Sequence, residues 1–156
     1  TLSGTTTVAT VGGVASFNDL SIDRAALGYR LEASAAGLNS VTTDAFTITP
    51  GPATLLIFTV QPSSAAAGVI IKPIVRGTAF DAVGNAATGF TGDVTVAITG
   101  NTGTSGAILS GTIPVAAGSG VAQFGDLKID RAGIGYRLTA TASGVAAVTS
   151  TPCDIF

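Results

Sequence analysis

The feature that most constrains this chain is a duplication. Residues 13–37 read GVASFNDLSIDRAALGYRLEASAAG, and residues 120–144 read GVAQFGDLKIDRAGIGYRLTATASG. Residues 1–49 align onto 108–156 without a gap, an offset of 107 (108 − 1), with about half of the positions identical. The identical pairs include Leu2/Leu109, Phe17/Phe124, Asp23/Asp130, Tyr29/Tyr136 and Leu31/Leu138. A period this long indicates domains in series rather than the short units of a solenoid. The phase divides the chain: residues 50–156 make one complete repeat, and residues 1–49 are the second half of another. The expectation is a chain that enters inside a repeat, whose missing strands come from preceding sequence or from a neighbouring molecule.

The repeat reads as strands. Pro50-Gly51-Pro52 is a stiff link that stops the preceding strand. Ala53–Val60 and Ile74–Phe80 are predicted as the first two strands of the complete copy, and the alternation of Val94, Val96 and Ile98 with Thr95, Ala97 and Thr99 predicts the third. Asp81–Asn85 is a turn with Gly and Asn where positive φ is favoured, and Asn101–Gly106 reads as a flexible loop. Further strands are expected at about 112–116, 120–124, 135–143 and 147–155. Seven short strands separated by turn signals predict an all-β sandwich. Alternation sets Tyr136, Leu138, Ala140 and Ala142 on one face, with Tyr29, Leu31, Ala33 and Ala35 as their counterparts. That face is the expected core.

Composition narrows the function classes. Hydrophobic residues make up 46% and charged residues 10% of the 156, enough apolar content to bury a core. A net charge of −2 with seven scattered Lys and Arg supplies no basic patch, which argues against a nucleic-acid partner. No apolar run approaches the ~18–20 residues that span a bilayer. The chain has no His, so neither a Ser-His-Asp nor a Cys-His arrangement is possible within it, and it is not expected to be an enzyme. The single Cys153 aligns with Phe46 and is expected to fill a core position as a small hydrophobe. Asp81 with Asn85, and Asp126 with Asp130, are the pairs able to join a calcium site, but no Asp-x-Asp-x-Asp run exists; turn-forming Asp is the favoured reading, with no metal or cofactor expected. Lys72 and Lys128 are expected to be solvated rather than joined in isopeptide cross-links.

The candidate structural site is the turn held in both copies: Asp23, Arg24 and Tyr29 in the first, Asp130, Arg131 and Tyr136 in the second. A buried tyrosine ring adds apolar area, and its hydroxyl must find a partner. Asp130 is placed to accept turn amides, and Arg131 to pair with a nearby carboxylate. Asp130-Arg131-Ala132 followed by Gly135-Tyr136-Arg137-Leu138 resembles the Asp-x-Ala-x-Tyr-x-Cys stretch of immunoglobulin domains, with a longer turn and Leu138 in place of the Cys. In those domains the tyrosine hydroxyl bonds back to the backbone at a corner between strands.

The segments ATLLIFTVQPS at 53–63, AFDAVGNAATGFTGDVTVAI at 79–98, ILSGT at 108–112, GVAQFGDLKID at 120–130 and GYRLTATASG at 135–144 are similar to the tandem bacterial Ig-like repeats of large exported surface and adhesin-type proteins. The resemblance implies an immunoglobulin-like Greek-key β-sandwich in tandem, located outside the cell or on the bacterial surface. It implies a structural role in a stalk, fibre or filament, with adhesion and strand exchange between subunits as extensions of that role. The implied partners are neighbouring Ig-like repeats or identical subunits, and a surface glycan or protein. The alternative is a carbohydrate- or protein-binding module that uses the loops at 81–93 and 99–107, where Phe90 is the sole aromatic platform. A third reading is an accessory domain of an enzyme.

Overall fold

Glycine and proline cut the apolar runs into pieces of two to six residues, and β-branched side chains within them favour extended backbone. The structure, a computed structural model, describes residues 1–156 and contains strands and turns but no helix. The chain divides into two units, Thr1–Pro50 and Gly51–Phe156.

The first unit holds β1 (Leu2–Ser3), β2 (Ser21–Ile22), β3 (Ala26–Tyr29), β4 (Glu32–Ala33), β5 (Val41–Thr42) and β6 (Phe46–Ile48). They form three antiparallel pairs, β1–β2, β3–β6 and β4–β5. No residue of this unit is buried.

The second unit holds β7 (Leu55–Val60), β8 (Val75–Phe80), β9 (Asp93–Ile98), β10 (Leu109–Ser110), β11 (Val115–Ala116), β12 (Val121–Phe124), β13 (Lys128–Ile129), β14 (Gly133–Tyr136), β15 (Leu138–Ala142), β16 (Val145–Thr149) and β17 (Cys153–Ile155). Seven of them form one sheet in the order β11-β9-β15-β16-β7-β8-β12, flanked by the ladders β10–β13 and β14–β17. The join between β16 and β7 is parallel and rests on the single register pair Ala146–Leu55, whereas the other neighbours are antiparallel. Each limb turns alternate side chains inward: Leu56 and Phe58 of β7, Val75 and Ala79 of β8, and Phe124 of β12 on one side; Val94 and Val96 of β9 with Leu138 and Ala140 of β15 on the other. All belong to one buried cluster, so the sheet doubles back across the β16–β7 join into two layers. The unit is an all-β, sandwich-like fold. Burying a large aliphatic or aromatic side chain stabilises by about 1.5–3 kcal/mol, so Phe58, Phe124, Leu127, Ile129 and Tyr136 dominate a core otherwise rich in alanine.

Two expected strands are each broken in two. The 135–143 run changes partner at Arg137: β14 pairs with β17, whereas β15 pairs with β9 and β16. The 147–155 run breaks at Ser150–Pro152, where Pro152 lacks an amide donor. Ser150 bridges both breaks. Its amide donates to Leu138 O (2.8 Å), its hydroxyl accepts from Leu138 N (2.9 Å), and the same hydroxyl donates to Thr151 O (2.8 Å). Of the expected 112–116 strand only Val115–Ala116 is extended, as β11, and β10 and β13 lie outside every expected strand.

Candidate functional site

The candidate site is the corner where β13 gives way to β14 and β15. Tyr136 ends β14 and is 0% exposed. Its hydroxyl donates to Arg131 O at 2.9 Å, closing the turn of Asp130–Gly135 onto itself. Asp130 Oδ1 accepts Ile108 N at 2.7 Å, tying the turn to the chain entering β10. The Arg131 guanidinium reaches Ser105 O (3.4 Å) and lies 4.0 Å from the Asp130 carboxylate, an exposed pair of small worth.

The 101–106 loop packs onto this corner. Gly103 has φ +64°, and a Cβ there would overlap the Tyr136 ring, so the missing side chain is what lets the backbone lie against the aromatic face. Thr104 Oγ1 donates to Ala132 O at 2.6 Å. Thr102 Oγ1 donates to Thr99 O (2.6 Å) and accepts Arg137 N (3.2 Å), which supplies a partner to an amide that lies between two strands. A loop read from composition as flexible is a clamp. Thr102 and Thr104, spaced around a glycine, were the available sign.

The same bonds recur in the first unit 107 positions earlier. Tyr29 OH donates to Arg24 O at 2.9 Å, and Asp23 accepts the Thr1 amino group at 2.5 Å. Leu31 N donates to Thr43 Oγ1 (3.0 Å), and Arg30 Nη1 to Thr43 O (3.0 Å), matching Leu138 N to Ser150 Oγ and Arg137 Nη1 to Ser150 O (2.8 Å). Asp19 accepts the amide (2.9 Å) and hydroxyl (2.7 Å) of Thr5, as Asp126 accepts those of Thr112 (2.9 and 2.8 Å). Strand registers repeat too: Leu2–Ile22 with Leu109–Ile129, and Tyr29–Phe46 with Tyr136–Cys153. The difference is cover. Tyr29 is half-buried and stacks only on Phe46, ring centroids 6.1 Å apart.

The carboxylates weighed for calcium are occupied by N–H and O–H donors. Asp81, 3% exposed, receives Val83 N (3.0 Å) and Asn85 N (2.8 Å) on Oδ1, and Gly51 N (2.9 Å) and Asn85 Nδ2 (3.0 Å) on Oδ2. Four donors fill the acceptor sites of one carboxylate. They hold its pKa down to about 2, the Asn85 side-chain amide contributing most. Asp126 is lowered by the Thr112 amide and then its hydroxyl, and Asp19 by the Thr5 hydroxyl and then its amide. Asp126 and Asp130 serve different upstream amides and form no joint site; no group of three or more His, Cys, Asp or Glu side chains is arranged to hold a metal ion. Lys72 and Lys128 are exposed. Cys153 is buried, and burial first, then the neighbouring Asp154 charge, pushes its thiol pKa up. Phe90 is half-buried against the core with its ring over Gly92, so it forms no open aromatic platform.

No family model matches the chain, and no curated protein matches it. Among solved structures, the chain is similar to a glycosyl hydrolase family 2 member from Bacteroides cellulosilyticus, with a TM-score of 0.51 and 10% identity. The match covers 81% of this chain and 17% of that protein, so the chain spans under a fifth of its neighbour's length. At that identity the likeness concerns the fold, a β-sandwich-type arrangement, and no helix of the chain is long and apolar enough to cross a membrane.

Proposed function

We propose that the chain is a segment of a tandem array of immunoglobulin-like Greek-key sandwiches serving as a stalk or fibre of an exported bacterial surface protein. The observation that carries this reading is the recurrence, at a fixed offset of 107, of one set of bonds: tyrosine to the corner carbonyl, aspartate to an upstream threonine, arginine to the carbonyl beyond the following pair of strands. A corner rebuilt bond for bond serves a structural unit used repeatedly. Asp81, Asp126, Asp130 and Asp154 all bind backbone amides, so the acidic groups act within the fold. Exposed Leu27 of β3 and Ile134 of β14 occupy equivalent positions beside the corner, an apolar feature suited to contact with a neighbouring repeat.

The test is small-angle scattering of chains carrying one, two and three complete copies of residues 50–156. A stalk lengthens by about one domain with each copy, whereas a constant maximum dimension refutes it. The second reading, a carbohydrate-binding or accessory module of a larger enzyme, draws on the glycosyl hydrolase neighbour. Retention of the chain on a glycan array would favour it, and the inward placement of Phe90 argues the other way.

A further inference from the structure

The entering and leaving segments of the second unit lie side by side and parallel. Ala146 of β16 stands beside Leu55 of β7, and Ile155 of β17 beside Ala65, so the two segments keep one direction on both sides of the break at Ser150–Pro152. Backbone bonds join them in two patches. Ala146 N donates to Thr54 O (2.9 Å) in the first; Ala65 N donates to Asp154 O (3.1 Å), Phe156 N to Ala65 O (3.0 Å) and Ala67 N to Phe156 O (2.7 Å) in the second. Between the patches the backbone pairing lapses, because the leaving segment changes ladder and Pro152 carries no amide donor. Side chains take over there. Gln61 Oε1 accepts both the amide (3.0 Å) and the hydroxyl (3.3 Å) of Thr151, and Ser64 Oγ accepts Asp154 N (3.1 Å). The Gln61 side-chain amide donates in turn to Phe58 O (3.3 Å), which ties it to its own strand.

We propose that this strap, residues 54–67 against 146–156, is the element that holds the repeat closed against tension along the chain, with Gln61 and Ser64 bridging the gap in its backbone pairing. Direction is the reason. β6, the counterpart of β17, continues through Thr49 and Pro50 to β7, so tension in a series of repeats enters a unit at the start of β7 and leaves it at the end of β17. In parallel segments those two points lie at opposite ends of the strap. The pull slides one segment along the other, and the bonds that cross between them are strained together. Antiparallel segments would place both points at the same end, where the bonds open one after another. Forced unfolding is governed by the height of the unfolding barrier, and bonds that fail only in concert raise it without further apolar burial, which suits a core rich in alanine.

This inference rests on the stalk reading, in which tension is the working condition. The test is single-molecule pulling of the full chain in two geometries at one loading rate. In the first, handles are attached at the amino and carboxyl ends; residues 1–50, none of them buried, extend first and then act as a tether to Gly51. In the second, the carboxyl handle is moved to Ser143→Cys in the exposed turn before β16, and the buried Cys153 takes no label. Position 143 lies at the same end of the strap as the start of β7, so this pull peels the strap open bond by bond. The extension released, from residues 51–156 or 51–143, identifies the unit that has opened. The expected result is a rupture force several-fold higher end to end than across position 143. Gln61→Ala, and separately Ser64→Ala, should lower the end-to-end force and leave the peeling force unchanged, which a general loss of stability would not do. Equal forces in the two geometries overturn the proposal, as do variants that leave the end-to-end force unchanged or lower both forces in proportion. Equal forces would remove the strap and leave the scattering test of the stalk untouched, whereas a maximum dimension constant with copy number would remove the stalk and leave the difference in force.

Discussion

Removing one oxygen from Tyr136 separates its two contributions, the buried ring and the corner bond. In Tyr136→Phe the ring stays in the core and the 2.9 Å bond to Arg131 O is lost. A net hydrogen bond contributes about 0.5–1.5 kcal/mol, and a buried acceptor left unpaired adds further cost. The expected loss for the phenylalanine variant is about 1–2 kcal/mol. For a domain of this size each kcal/mol is a fall of about 4–8 °C in Tm. Tyr136→Ala also removes the ring from a site that closes over it and costs about 3–5 kcal/mol. The assay is urea unfolding followed by circular dichroism, in which the phenylalanine variant lowers the midpoint at unchanged slope. An alanine variant no less stable than the phenylalanine variant would show that the ring is not a core element, and the reasoning would fail.

Gly103→Ala places a methyl group against the Tyr136 ring at a left-handed φ, and the expected loss is about 1–3 kcal/mol by the same unfolding assay; an unchanged midpoint would show that the loop is not clamped. Asp81, with its pKa lowered to about 2 from an ordinary 3.8, contributes stability that is present above about pH 4 and lost as pH falls towards 2. Tm should therefore drop across that interval, and Asp81→Asn should flatten the drop while lowering Tm at pH 7; an acid limb of unchanged depth in the variant would contradict the assignment. The Cys153 thiol, buried and raised in pKa, should react with Ellman's reagent only as the second unit opens. Reaction in native buffer at the rate of an exposed thiol would place it outside the core.

What the sequence made legible was whatever side-chain period and repetition encode. Alternation grouped Val94 with Val96 and set Tyr136, Leu138 and Ala140 on the expected core face, and all five are buried; Cys153 lies in the core opposite Tyr136. The change of partner at Arg137 was not legible, because Tyr136 and Leu138 keep their period of two while the hydrogen-bonded neighbour switches from β17 to β9. Pro152 marked the second break, although the role of Ser150 depends on Leu138 twelve positions away. Asp126 gave no local sign of serving Thr112, since the bond closes only when β10 and β13 pair. Composition misread the 101–106 loop: glycine there provides close approach to a ring, not slack.

The central claim is that one set of apolar residues is open in residues 1–50 and closed in residues 108–156. Native-state amide hydrogen exchange of the whole chain at low concentration, resolved by peptide, compares the two halves within a single sample. Residues 121–124 and 138–142 should exchange orders of magnitude more slowly than their counterparts at 14–17 and 31–35. Equal protection in the two sets would contradict the account.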